Sequence, residues 1–349
     1  MKRLASLDIL RGFVLLLLVF LQPVLFSFGE VSGCRWILYN FDHEVWEGFR
    51  LWDLVMPLFM FMAGASLPFS LAKYEGAKDK KPVYIKIARR FVLLFLLGMI
   101  VQGNLLGLNP GDIKIFNNTL QAIAVGYAFT ALMVLHCPER YRVLVIAVLL
   151  LIYWLPMHFC GDYTMEGSFA YKIDEAVLGR FRGDLSYTWI WSSLTFCVTV
   201  MLGSLAGSLM KNEGNGRNGT LWMLISGVVC IAAGLVWSVE MPIIKRIWTS
   251  SMALFSGGIC LVLMALFHWW IDIKGHTRGL EWLKIYGMNS IVAYVIGESV
   301  SFMSVCVSLL YGFEQYLGGY YQTLLKLANF GIVFAILALM YRRKIFIKV

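Results

Sequence analysis

About ten runs of roughly 20 apolar residues, each long enough to cross the ~30 Å hydrocarbon core of a bilayer as an α-helix, constrain this chain more than any motif does. They fall near 9–28, 51–72, 88–106, 119–137, 142–160, 188–210, 220–239, 249–271, 283–304 and 321–341. Inside a bilayer no water satisfies a free backbone N–H or C=O, so each run must close its hydrogen bonds within a helix. The sequence therefore predicts an all-α polytopic membrane bundle of about ten transmembrane helices. A mean hydropathy of +0.72 with only 15% charged residues excludes an ordinary soluble globule. The first run, "ILRGFVLLLLVFLQPVLFSF", is too long for a signal-peptide core and lacks a small-residue cleavage site, so it is expected to stay as the first helix.

Charge sets the expected orientation. With a cytoplasmic N-terminus, 21 of the 30 basic residues collect on the inner side, including the cluster "KYEGAKDKKPVYIKIARR" and the tail "YRRKIFIKV". Both termini are then cytoplasmic. The net charge of +9 reads as topology and anionic-lipid contact, and no nucleic-acid partner is expected. The chain reads as a single membrane domain over 1–349. An outer loop spans 29–50, an outer cap segment 159–187, and a Gly/Asn-rich inner connector 211–219. The seven cysteines form no CxxC pair and have no histidine at ligand spacing, so no metal is expected. Cys34 and Cys160 both fall on the expected outer side, where a disulfide or two unpaired thiols are compatible with the sequence.

Polar groups inside apolar spans are costly and mark pathways or interhelical hydrogen bonds. Here they are Asp8 and Arg11, three apart on one face of the first helix, then Gln22, Asp53, Gln102, Asn104, Gln121, Asn289 and Glu298. The outer loop carries a lone histidine in "DHEVWEG", His43, between Asp42 and Glu44 and just ahead of Asp53. The signatures of soluble hydrolases, nucleotide-binding loops and HExxH metalloenzymes are absent from the sequence. On residues alone, a transporter and a membrane enzyme remain equal readings.

"SLDILRGF", followed by "DHEVWEGFRLWDLVMPLFMFMAGASLPFS", resembles the heparan-alpha-glucosaminide N-acetyltransferase family and its bacterial relatives. Ser6, Leu7, Asp8, Arg11 and Gly12 match its first motif; His43, Trp46, Gly48, Asp53, Leu54, Val55 and Pro57 match its second. Weaker likeness continues in "RRFVLLFLLG", "LQAIAVGY", "IWTSSMALFSGG" and "YGMNSIVAY". The chain departs from the family at Gln22, where an asparagine is usual, and at Ala122, where an arginine is usual. It also has "RFRGDLSYTWIWSS" in place of an Asp-Pro-Glu-Gly segment.

The resemblance implies a multi-pass acyltransferase of a bacterial inner (cytoplasmic) membrane. It would move acetyl from cytoplasmic acetyl-CoA, a co-substrate, to an amino sugar of the glucosamine or heparan sulfate type on the opposite side. His43 is then catalytic, as general base or acetyl carrier, with Asp53 as its partner; Asp42 and Glu44 are alternative partners. Asp8, Arg11, Arg89, Arg90, Gln121 and Asn289 are expected to serve acetyl-CoA, the arginines through its phosphates. Gln22, Trp46, Glu47, Trp52, Lys245 and Trp248 are expected on the acceptor side. The bilayer, acetyl-CoA and a glycan acceptor are the expected partners, and a homodimer is left open.

Overall fold

The computed structural model describes residues 4–74, 76–184, 186–212 and 217–347. Part of the expected inner connector, 213–216, lies outside the described residues, as do Lys2 and Arg3. In chain order the main helices are α1 (5–32), α2 (Arg35–Asn40), α3 (Leu51–Tyr74), α4 (Lys81–Val101), α5 (Thr119–His136), α6 (Glu139–Phe159) and α7 (Phe169–Leu178). They continue as α8 (Ser193–Asn212), α9 (Arg217–Trp237), α10 (Ser250–Ile273), α11 (Leu283–Met288), α12 (Ser290–Ser299), α13 (Met303–Leu310) and α14 (Tyr321–Arg342).

The fold is all-helical, with only isolated bridges and no strand among the described residues. Seven helical stretches there are long and apolar enough to cross a membrane: α3, α5, α6, α8, α9, α10 and 303–342. Of the other three expected spans, 9–28 lies within α1 and most of 88–106 lies in α4. The run 283–304 is broken at Asn289 into α11 and α12. The 159–187 segment is no open loop, since it contains α7, whose first turn is capped by Ser168 Oγ accepting from Tyr171 N at 3.2 Å.

The chain divides into two compact units. The first holds Glu44–Phe49 and Met56–Gly275. The second holds Leu4–His43, Arg50–Val55 and His276–Val349. α3 therefore begins in the second unit and continues in the first.

In the first unit α3 and α8 cross at glycines: a Cβ on Gly64 would overlap the Val200 carbonyl oxygen, and one on Gly203 the Phe61 carbonyl oxygen. Small residues let the backbones approach, which is how helices gain packing energy where lipid supplies no hydrophobic drive. The second unit uses the same device on α1 and α11, where Gly12 meets the Leu283 carbonyl and Gly287 the Asp8 carbonyl. α1 also contains a π-helical turn, Leu16–Leu21, immediately before Gln22. Such turns re-aim the side chains that follow and recur at functional sites.

Candidate active site

His43 and Asp53 lie in the second unit, ten residues apart in sequence and joined by a 2.8 Å contact between His43 Nδ1 and Asp53 Oδ1. The imidazole is partly exposed, at 38%, whereas the carboxylate is fully buried, at 0%. A buried carboxylate survives only when its oxygens are satisfied. Asp53 Oδ2 accepts from the Arg50 backbone N–H at 2.9 Å, and the Asp53 N–H donates to the Arg50 carbonyl at 3.0 Å, so the start of α3 is built around this side chain.

A carboxylate can only accept, which puts the proton of the pair on Nδ1 and directs Nε2 toward any chemistry with a substrate. The acids beside His43 have other tasks. Asp42 Oδ1 accepts from the His43 backbone N–H at 2.8 Å, and Glu44 Oε1 from the Val45 N–H at 3.1 Å.

Three further groups hold the histidine loop. Gln22 Nε2 donates to the Phe41 carbonyl at 3.0 Å, bracing the segment that leads into His43. The Trp52 ring lies 6.2 Å from both the His43 and Phe41 rings and is buried. Arg50 places its guanidinium 4.3 Å over the Tyr39 ring, with Nη1 3.5 Å from the Tyr39 carbonyl and 4.0 Å from Asp42 Oδ2. Sequence reasoning passed over Arg50. Its signal was present: a cation three residues before the acid that opens a helix, facing an acid across the loop.

In the first unit, residues 46–48 pair with the turn before α10. The Trp46 Nε1–H donates to the Tyr163 carbonyl at 2.7 Å, Glu47 bridges antiparallel to Ile244, and the Gly48 N–H donates to the Ile243 carbonyl at 2.9 Å. Gly48 sits at φ +123°, a conformation that side chains resist, which explains the glycine of the Trp-x-Gly step. Lys245 follows in the same turn and is buried.

Trp248 is buried in the left-handed region at φ +50°. Its Nε1–H faces Thr199 Oγ1 at 3.3 Å, and its carbonyl accepts from Thr195 Oγ1 at 2.7 Å. At 2% exposure both of its ring faces are covered by protein, so as placed it offers no stacking surface.

The residues expected to serve acetyl-CoA belong to both units. Gln121 caps α5: Oε1 accepts from the Asn117 and Asn118 N–H groups at 2.9 and 3.1 Å, and Nε2 donates to the Ile115 carbonyl at 2.5 Å. Arg90 lies over the Tyr127 ring at 4.2 Å, while Arg89 is exposed. In the second unit Asp8 and Arg11 are 3.7 Å apart. Asn289 pairs with the C-terminal tail, donating to the Ile345 carbonyl at 3.0 Å and accepting from the Ile347 N–H at 3.2 Å. The amides of Gln121 and Asn289 are thus engaged with backbone. No cluster of three metal-ligating side chains occurs among the described residues, and Cys34 and Cys160 are both free thiols.

The segment between α6 and α8 contributes a buried acid that sequence reasoning also missed. Asp174 on α7 accepts from the Trp189 and Ile190 N–H groups at 2.7 and 2.9 Å. Burial pushes its carboxyl up to about 6, opposed by those two donors and by Arg182. With the folded value above the unfolded one, the folded state holds the proton more tightly in between. Asp174 therefore adds stability as pH falls from about 7 to about 5. The melting temperature of the wild type minus that of Asp174→Asn should rise over that interval; a flat or falling difference refutes the buried-charge assignment.

Residues 3–111 match the family described as a domain of unknown function, DUF5009. Over 84% of its length the chain is 26% identical to the heparan-alpha-glucosaminide N-acetyltransferase of Homo sapiens and 24% identical to that of Mus musculus. This likeness agrees with the resemblance carried by the sequence motifs. It spans about half the length of these relatives, 52% and 53%. Seven helices among the described residues, long and apolar enough to cross a membrane, make it a multi-pass membrane protein.

Proposed function

We propose that the chain is a membrane acetyltransferase that passes acetyl from acetyl-CoA to the amine of an amino sugar, with His43 as its catalytic residue. The observation that carries this reading is the contact between a partly exposed imidazole and a fully buried carboxylate, His43 Nδ1 to Asp53 Oδ1 at 2.8 Å. An ammonium cannot attack a thioester until it loses a proton, and an imidazole whose unperturbed pKa is about 6.5 accepts one near neutral pH.

As general base, His43 Nε2 takes the proton of the amine while its nitrogen attacks the acetyl carbonyl; the C–S bond breaks and CoA leaves as the thiol. As carrier, Nε2 itself attacks, the C–S bond breaks, and the acetyl-imidazole then yields to the amine. In both, Asp53 holds the ring and stabilises the imidazolium form. Acetyl-CoA is placed at the Lys/Arg-rich cytoplasmic side, where Arg11, Arg89 and Arg90 meet its phosphates, and the acceptor on the opposite side, at the His43 loop. Both placements rest on the charge distribution and the resemblance.

Purified protein in detergent or liposomes, given labelled acetyl-CoA and glucosamine, is expected to form N-acetylglucosamine. Sugar uptake into vesicles without any acetylated product would replace this reading with a transporter.

A further inference from the structure

In the second unit the chain leaves α14 through a left-handed turn at a lysine. Lys344 sits at φ +57°, its N–H donating to the Tyr341 carbonyl at 3.0 Å and the Ile345 N–H to the Met340 carbonyl at 2.9 Å. Glycine is the usual residue in a helix-ending turn of this kind, because an L side chain resists the conformation. The turn folds the next residues back along the helix end. Phe346 meets the Tyr341 ring edge-on at 6.0 Å, while the Ile345 and Ile347 side chains are turned toward the surface.

Asn289 then clasps this segment from the break between α11 and α12, where it is fully buried. Its side chain donates to the Ile345 carbonyl at 3.0 Å and accepts from the Ile347 N–H at 3.2 Å. A single amide thus reads the carbonyl of one peptide unit and the N–H of the next, with Phe346 as the spacer. Gly287, two residues before Asn289, lies against the α1 turn of residues 8–12, which carries Arg11.

Ending α14 does not require this arrangement. A simple stop would take glycine at 344 and no polar side chain buried in a neighbouring apolar helix. The two bonds that Asn289 makes fit any pair of amides joined by a short spacer. Acetyl-CoA carries such a pair in its pantetheine arm, where two CH2 groups separate the carbonyl of one amide unit from the amide unit whose N–H follows.

We infer that residues 345–347 form a displaceable strap, a self-ligand that occupies Asn289 in place of the pantetheine amides and so restrains acetyl-CoA binding. The inference rests on the acetyltransferase reading, which puts Arg11 at the phosphates of the same co-substrate. The buried amide is satisfied in either state, by the strap or by the ligand. Strain at Lys344 keeps the closed state from holding too firmly to open. A site free in only a fraction of molecules binds its ligand more weakly by that fraction.

The test uses the full chain with two substitutions at the exposed Lys344. Lys344→Gly takes the left-handed turn without strain and tightens the strap, whereas the β-branched Lys344→Val resists the turn and loosens it. Both remove the same charge, so the difference between them reports conformation. By calorimetry, the Kd for acetyl-CoA is expected to be about tenfold higher in Lys344→Gly than in Lys344→Val, with the wild type between them. ADP, which has phosphates but no amide arm, should bind the two variants equally. Saturating acetyl-CoA should also speed hydrogen exchange at the Ile347 amide of the wild type. Equal acetyl-CoA affinity in the two variants, a matching difference for ADP, or exchange at Ile347 that acetyl-CoA does not speed would overturn the strap and leave the acetyltransferase reading in place. Acetyl-CoA that binds none of the three proteins would remove both.

Discussion

Replacing His43 by alanine is expected to lower acetyl transfer by at least about 10²-fold, the lower end of what a positioned general base contributes, and to abolish it if the ring carries the acetyl group. Binding of acetyl-CoA should be unchanged, because the residues placed at its phosphates do not involve this loop. Alanine also leaves the buried Asp53 Oδ1 without its ring partner, so a lower melting temperature is expected and transfer is measured on variant protein that purifies folded. Transfer undiminished in a folded His43→Ala protein would end the proposed mechanism. The two chemical routes separate in the wild type without acceptor. A carrier histidine accumulates acid-labile, hydroxylamine-sensitive label from acetyl-CoA, one equivalent at most, whereas a general base accumulates none.

Asp53→Asn should cost about 10²- to 10⁴-fold in kcat with little change in either substrate's affinity. The wild-type carboxylate uses one oxygen for the His43 ring and the other for the Arg50 N–H. Asparagine has a single acceptor oxygen for these two donors and presents an NH2 group in place of the second. If the NH2 turns toward the ring, it demands an acceptor at Nδ1, so the proton moves to Nε2, where the substrate needs a lone pair. If the oxygen stays on the ring, the Arg50 N–H loses its acceptor and the imidazolium loses its counter-charge. Either outcome slows the chemical step, and the pH–rate profile should lose its base limb or move it. Activity within about threefold of the wild type would show that Asp53 merely caps α3 and that another acid serves His43.

His43 and Asp53 were both legible in the sequence, one as a lone histidine in a polar loop and the other as an acid opening an apolar helix. Their partnership was expected there too, but with alternatives left open. Asp42 and Glu44, adjacent to His43, were equal candidates by spacing, but each accepts instead from a backbone N–H of the same loop. The residue ten positions away reaches the ring because α3 starts with its first acid turned back toward the loop. Gln22, Gln121 and Asn289 were equally visible as polar groups in apolar surroundings. Which of them face a ligand is not encoded in their identity, because an amide serves a backbone carbonyl as well as a substrate. All three are engaged with backbone partners, the Phe41 carbonyl among them.

By itself the sequence determined the helical class. An apolar run in a bilayer has no alternative way to satisfy its backbone, so composition and run length suffice for that conclusion. Tertiary structure decided which polar groups are spent on architecture and which remain for chemistry. Those choices depend on partners distant in the chain, such as Trp46 with Tyr163, 117 residues on. Local periodicity holds no record of contacts like these. They form only once close crossings such as those at Gly64, Gly203, Gly12 and Gly287 have set the helices side by side.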